Sequence, residues 1–159
     1  MFNLLSLLLV TLFFSPKTYT HNSKEAFFTM ETQNNQIYVL AEFPWTIRKA
    51  LLQFDPKLAE TKNKEDFDKA LFLYVKTNFL LKNQEGFEIQ LVKIKELDLR
   101  EHSHQSNFEF YFDGPEFREV QNTLLFNLSS EHKNYHTILL KGKTIKKTTL
   151  YKASSFFVN

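Results

Sequence analysis

The chain has 159 residues, a formal net charge of +2 and no cysteine. The lack of cysteine excludes disulfides, thiolate metal sites and cysteine nucleophiles, so the fold has to depend on its core. Because the charge is close to zero, no strong field attracts nucleic acid or anionic lipid, and we expect no nucleic-acid partner. The 18 phenylalanines, against three glycines and four prolines, favour a packed aromatic core over a disordered chain.

An apolar run without charge occupies residues 4–14 (LLSLLLVTLFF) and ends just before Ser15 and Pro16. Its length matches the core of a signal peptide and falls short of the roughly 20 residues that a membrane helix needs. We therefore predict a signal peptide over residues 1–20, and a single exported domain over residues 21–159 without a transmembrane helix. The alternatives are an apolar first strand or a membrane anchor.

Residues 26–32 and 36–43 form two short runs of strand-type residues around Gln33, Asn34 and Asn35. In the second run the apolar residues alternate with a period of two, as expected when one face of a strand is buried. Both asparagines tolerate the positive φ that a tight turn requires. The two runs therefore predict a β-hairpin.

Residues 45–78 predict a two-helix insertion after this hairpin, because the apolar spacing changes to that of a helix. Thr46 is a candidate N-cap of the first helix, which ends at Asp55 and Pro56. Asn63 is the candidate N-cap of the second helix. The residues predicted to face the core are Ile47, Ala50, Leu51 and Phe54 in the first helix, and Phe67, Ala70, Leu71 and Tyr74 in the second.

From residue 79 onward the pattern is that of short strands joined by turns, with Gly86 and Gly142 where a turn needs an unusual φ. Phe87, Ile89 and Leu91 are predicted to point inward. The apolar set changes face after Leu91, which requires a bulge or a new strand. The predicted strands cover residues 79–82, 87–91, 107–112, 120–126, 135–140 and 144–151.

The order of these elements predicts the fold class. About eight short strands with two early helices favour a mainly β protein rather than an alternating α/β fold. The specific prediction is an antiparallel immunoglobulin-like β-sandwich that carries a two-helix insertion after its first hairpin.

Three segments carry a resemblance to a known family: FPWTIRKAL over residues 43–51, YVKTNFLLKNQEGFEIQ over residues 74–90 and NTLLFNL over residues 122–128. They resemble an uncharacterised secreted family of small bacterial β-sandwich proteins, a domain of unknown function. The chain differs from the family pattern at Glu42 and at His132. The resemblance implies the fold and a location in the periplasm or envelope of a bacterium, and it implies no catalytic residues.

Two pairs of histidines have spacings that place both imidazoles of a pair on one face of a strand: His102 with His104, and His132 with His136. Four imidazoles suit zinc or copper in an oxidising compartment. His21 would add its amine and imidazole as a chelate for Cu(II) if cleavage made it the N-terminus. In the competing interpretation the histidines lie in or beside polar connections between strands, where they need no special role.

No pattern in the chain predicts catalysis. The sequence has no nucleophile elbow of the G-x-S-x-G type, and its three glycines are isolated, so it has no phosphate-binding loop. The pair Glu65 and Asp66 fits the first turn of a helix, and Asp113 with Glu116 flanks a turn. We therefore expect no catalytic residue, no cofactor and no enzymatic activity.

Trp45 lies beside Pro44 at the start of the first predicted helix. The more frequent role of such a tryptophan is to close the end of a core, and the other is to anchor a partner from the surface. The leading hypothesis is a non-enzymatic binding or structural module of the bacterial envelope, whose partner is an unknown envelope protein or ligand. The alternative is a periplasmic transition-metal-binding protein that uses surface histidines.

Overall fold

The computed structural model describes residues 22–97, 105–140 and 142–158, so the predicted signal peptide over residues 1–20 lies outside the described part. The described part is mainly β and forms two sheets, as predicted. Its strands are β1 (Glu25–Gln33), β2 (Gln36–Pro44), β3 (Phe79–Lys82), β4 (Glu88–Ile89), β5 (Leu91–Glu96), β6 (Gln105–Asp113), β7 (Glu119–Asn122), β8 (Lys133–Leu140), β9 (Lys143–Leu150) and β10 (Ser155–Phe157). Its helices are α1 (Ile47–Phe54), α2 (Lys64–Asn78) and a short 3-10 helix (Pro56–Glu60).

Six strands form one sheet in the order β5-β6-β2-β1-β8-β9, and four form the other in the order β10-β7-β3-β4. The predicted pairing was antiparallel throughout, but β1 and β8 pair in parallel. The reason is that β8 follows β7, which lies in the other sheet, so β8 enters its sheet by a crossover and not through a hairpin. The immunoglobulin-like connectivity stays a prediction.

The first hairpin is confirmed. Asn34 and Asn35 adopt φ values of 49° and 64°, and Gln33 pairs with Gln36 across the turn. This turn sets the register of β1 against β2, so the alternating apolar residues of both strands point to the same inner face.

The two helices of the predicted insertion are also confirmed. Asn63 caps α2, because its side chain accepts a hydrogen bond from the backbone N–H of Glu65. Thr46 occupies the N-cap position of α1 but makes no capping bond, and its hydroxyl donates to the carbonyl of Ser23 at 3.4 Å. None of the described helices combines the length and the apolar character needed to cross a membrane.

Two details of the predicted strands are wrong. The strand predicted over residues 120–126 ends at Asn122, because Leu125 has a φ of 66° and residues 124–128 form turns. Phe87, predicted to point inward, is 71% exposed, since its backbone N–H is held in the turn by the side chain of Asn83. The strand β10 was not predicted, since its three residues are too few to show the alternation of apolar and polar residues that indicates a strand.

The shift of face predicted after Leu91 is confirmed, and it involves both a new strand and a bulge. The chain leaves the four-stranded sheet after β4 and joins the six-stranded sheet as β5. The register of β5 against β6 then shifts between Leu91 and Lys93. This crossing places the end of β5 beside the helices.

Phenylalanine rings connect the inner faces of the two sheets. Phe79 of β3 lies 5.4 Å from the ring of Phe28, 6.0 Å from Phe110 and 5.9 Å from Phe112, measured between ring centroids. All four rings are almost completely buried. Since ring pairs at this spacing add to the stabilisation from buried area, this cluster is the centre of the core.

Replacing Phe79 with alanine is expected to lower the free energy of unfolding by about 3–5 kcal/mol, because it leaves a cavity between the two sheets. Denaturant unfolding measures the change. The control is Leu73→Ala on α2, since Leu73 is 55% exposed, and we expect its effect to stay within about 0.5 kcal/mol. Equal losses in the two variants would contradict this assignment of the core.

Candidate functional site

Trp45 lies between β2 and α1, and its side chain is 65% exposed. The interpretation that it closes the end of the core is therefore wrong. The residues on either side explain its position, because Pro44 and Ile47 are buried and hold the chain against the core while the indole points outward. The indole therefore presents a large apolar surface to solvent.

A groove of about 660 Å³ lies beside Trp45, between α1, α2 and the neighbouring ends of β5 and β6, and we call it the Trp45 groove. Its size falls within the range of ligand pockets in proteins. Helical spacing explains its apolar side, since α1 and α2 each turn two apolar residues toward it. The apolar residues that line it are Ile47, Leu51, Phe67, Leu71 and Phe108, next to the indole of Trp45.

The two acidic side chains that line the groove share one lysine. The ammonium of Lys64, at the start of α2, lies 2.8 Å from Asp68 and 2.8 Å from Glu96 at the end of β5. The hydrogen bonds to Asp68 and Glu96 raise the pKa of Lys64 well above its usual value. All three groups are more than half exposed, so their attraction is screened by solvent and contributes little to stability.

The other two charges that line the groove are the cations Arg48 and Lys62. The guanidinium of Arg48 lies over the ring of Phe67, 4.3 Å from its centroid. Within residues 22–97, 105–140 and 142–158, neither cation forms an ion pair with an acidic side chain. The groove therefore offers positive charge beside an apolar surface.

His132 and His136 are both buried, with exposed fractions of 2% and 1%. His132 lies in the connection before β8, as predicted, but His136 is the fourth residue of β8 and lies within the strand and not at its start. The metal-binding hypothesis called for surface histidines, and for these two residues that expectation is wrong. His136 faces inward, where its ring stacks on Phe28 at 5.3 Å and meets Phe156 edge-on at 5.0 Å. The parallel pairing of β1 with β8 causes the first contact, because it sets Phe28 directly beside His136.

The two imidazoles are connected through two buried asparagines. The Nε2 atom of His132 lies 3.1 Å from the Oδ1 of Asn134, and the Nδ2 of Asn134 donates to the Oδ1 of Asn122 at 3.3 Å. The Nδ2 of Asn122 in turn lies 3.1 Å from the Nε2 of His136. We call these four residues the buried amide–imidazole network.

The backbone of Leu124 sets the direction of this network. Its N–H donates to the Oδ1 of Asn122 at 3.0 Å, and its carbonyl accepts from the Nδ2 of Asn134 at 3.1 Å. With both amides oriented in this way, Asn122 donates to His136, so the Nε2 of His136 is an unprotonated acceptor. His132 is then the donor at the other end, and both imidazoles fit as neutral rings.

The loop that carries Leu124 is itself held by α2. The hydroxyl of Tyr74 accepts from the N–H of Leu125 and donates to the side chain of Asn127, both at 2.8 Å. Burial raises the pKa of Tyr74 to about 12, and the bond from Leu125 opposes the shift. The helical insertion therefore positions the turn that orients the buried amides.

Burial lowers the pKa of His132 and of His136 to about 4 each. The hydrogen bond to Asn134 opposes the shift for His132, and backbone groups of Lys147 and Asn134 oppose it for His136. Protonating His136 would also place an N–H against the amide N–H of Asn122. Burial thus disfavours the charged form of both rings, and at His136 protonation would also break the bond from Asn122.

The predicted metal set is described only in part. His102 and His104 lie outside the described residues, so whether they approach the other pair stays a prediction. The Nε2 atoms of His132 and His136 are occupied by amide partners. Within the described ranges, no group of three or more His, Cys, Asp or Glu side chains is arranged to hold a metal ion.

Local sequence patterns indicate Trp45 but not most of the residues that surround it. Leu51 and Leu71 were predicted to face the core, as they do, yet their outer edges also line the groove. Arg48 and Lys62 carried no local signal, because a basic residue on a helix or in a charged loop is ordinary. In comparisons with known proteins, no family model and no curated protein matches the chain, so the resemblance to secreted β-sandwich proteins stays a prediction.

Lowering the pH from 7 to 4 is expected to destabilise the protein, and His136→Gln should reduce this loss. The pKa of His136 falls from 6.5 in the unfolded chain to about 4 in the folded protein. Between these values only the unfolded chain binds the proton, so the stabilisation present above pH 6.5 is lost as the pH falls. The contribution is about 3 kcal/mol.

Denaturant unfolding of both proteins across this pH range measures the difference. Carboxylates titrate in the same range but contribute equally to both proteins, so the difference between the two curves isolates the imidazole. His136→Gln will be less stable at pH 7, because it loses the contacts with Phe28 and Phe156, but its curve should be flatter between pH 6.5 and 4. An unchanged slope would show that His136 is not buried in its neutral form.

Proposed function

We propose that the protein is an exported, non-enzymatic binding module that binds its partner at the Trp45 groove. The observation that carries this proposal is the 65% exposure of Trp45 beside a groove of ligand size. Tryptophan and arginine are the residues most enriched among those that dominate binding energy, and here Trp45 and Arg48 line the same groove. The partner is an envelope protein or ligand.

Most of the backbone around the groove belongs to regular elements, which supports this role. The helices α1 and α2 and the ends of two strands of the six-stranded sheet form most of the lining, and both helices pack on the core through buried residues. Trp45 and Lys62 lie in the connections that precede α1 and α2. A site of this kind loses little conformational freedom when a partner binds, so more of the contact energy appears as affinity.

The proposal of export depends on the apolar run over residues 4–14, which has the length of a signal-peptide core. A location in the periplasm or envelope of a bacterium follows if that segment is cleaved. The intact mass of the protein recovered from its native envelope tests the cleavage point after Thr20, and a mass that retains the first 20 residues would contradict it.

Trp45→Ala is expected to weaken capture of the partner from a native envelope extract at least tenfold, or by about 1.4 kcal/mol of binding free energy. The matched control is Phe87→Ala, since Phe87 is 71% exposed but lies in the loop between β3 and β4. That variant should capture the partner as the unmodified protein does. Quantitative mass spectrometry of the captured material measures both effects.

Thermal unfolding of the two variants confirms that each one folds. If Trp45→Ala and Phe87→Ala retained the same captured proteins or ligands at the same levels, the Trp45 groove would not be the binding site. Loss of capture in both variants would indicate non-specific hydrophobic binding and would also contradict the proposal.

A further inference from the structure

Within the described part of the chain, some of the charged side chains that line the Trp45 groove form ion pairs and others do not. Both carboxylates, Asp68 and Glu96, already have a cation, because Lys64 lies 2.8 Å from each of them. An incoming cation would therefore meet carboxylates whose charge Lys64 already balances in part and would be repelled by the ammonium of Lys64. Both effects disfavour a positively charged ligand.

Arg48 and Lys62 present the opposite situation, because in the described part of the chain neither has an acidic partner. With respect to residues 22–97, 105–140 and 142–158, an anionic group can approach them without breaking an ion pair. Arg48 is also held in place, since its guanidinium lies 4.3 Å from the centre of the Phe67 ring. A guanidinium has five N–H donors and can bind a carboxylate with two hydrogen bonds while it stays over an aromatic ring.

The rest of the groove suits an apolar group. Leu51, Leu71 and Phe108 line it with aliphatic and aromatic surface and are themselves well buried, so they form a firm base. Trp45 adds an exposed indole that can cover an aromatic or aliphatic side chain. A ligand that is only charged would leave this apolar surface exposed to solvent. A ligand that is only apolar would not bind the charged groups of Arg48 and Lys62.

We infer that the Trp45 groove selects a peptide segment of the partner in which an acidic residue lies between aromatic or aliphatic residues. The carboxylate binds Arg48 and Lys62, and the neighbouring apolar side chains pack on Trp45 and the groove lining. This inference rests on the proposed function and makes it more specific, since it defines the chemistry of the partner.

Trp45 is the single tryptophan of the chain, so its fluorescence reports binding at the groove directly. The probes are three acetylated and amidated pentapeptides, Leu-Phe-Glu-Phe-Leu and the versions with Gln or Lys in the centre. Only the central charge differs among them. We expect the Glu peptide to bind at least fivefold more tightly than the Gln peptide, and the Lys peptide to bind most weakly.

Raising the salt concentration from about 0.05 to about 0.5 M should reduce the preference for Glu over Gln, because mobile ions screen exposed charges. Arg48→Gln and Lys62→Gln are each expected to bring the preference below twofold. The matched control is Lys49→Gln, because Lys49 is an exposed cation on the same helix and does not line the groove. Circular dichroism verifies that each variant folds.

Equal binding of the Glu and Gln peptides would overturn the inference, and so would an equal loss of preference in Lys49→Gln and Arg48→Gln. The absence of any fluorescence change with all three peptides would overturn it as well. The binding function itself is judged separately by the capture experiment with Trp45→Ala. If capture depends on Trp45 but the Glu peptide is not preferred, the proposed binding function is retained. Only the inference that the partner segment is acidic is then rejected.

Discussion

The packing of Phe79 against Phe28 and Phe110 holds the two sheets together, and the other features depend on it. The four-stranded sheet has short strands, and this contact with the larger sheet stabilises it. Because α2 leads directly into Phe79, docking this ring also fixes the C-terminal end of the helix. The helical insertion therefore lies where the core places it, and the Trp45 groove forms along its outer side.

In the buried amide–imidazole network, polar side chains within the same core are paired with one another by hydrogen bonds. Asn122 and Asn134 come from strands of different sheets, and the backbone of Leu124 orients both amides. Four buried polar side chains would be costly without partners, so their mutual hydrogen bonds are needed for the strands to meet at all. The network also specifies one arrangement of the two sheets, since no shift of β8 along β1 would keep His136 both stacked on Phe28 and bonded to Asn122.

The Trp45 groove differs from this network because its polar groups remain accessible to solvent. Lys64 neutralises much of the acidic charge, while Arg48 keeps its guanidinium on Phe67 and has no acidic partner in the described part of the chain. The charged groups of the groove contribute little to folding, since solvent screens surface ion pairs. The buried histidines serve the fold, and we propose that the groove serves binding.

Local patterns in the sequence determined the first hairpin, the two helices and the strand of Phe108, Phe110 and Phe112, because periodicity, an Asn cap and turn residues act over a few positions. They also identified Trp45. Only the tertiary structure decided that β1 pairs in parallel with β8, that His136 meets Asn122, and that Arg48, Lys62 and Phe108 surround one groove. These relations join residues far apart in the chain, and their energies arise from burial and charge that no local spacing encodes.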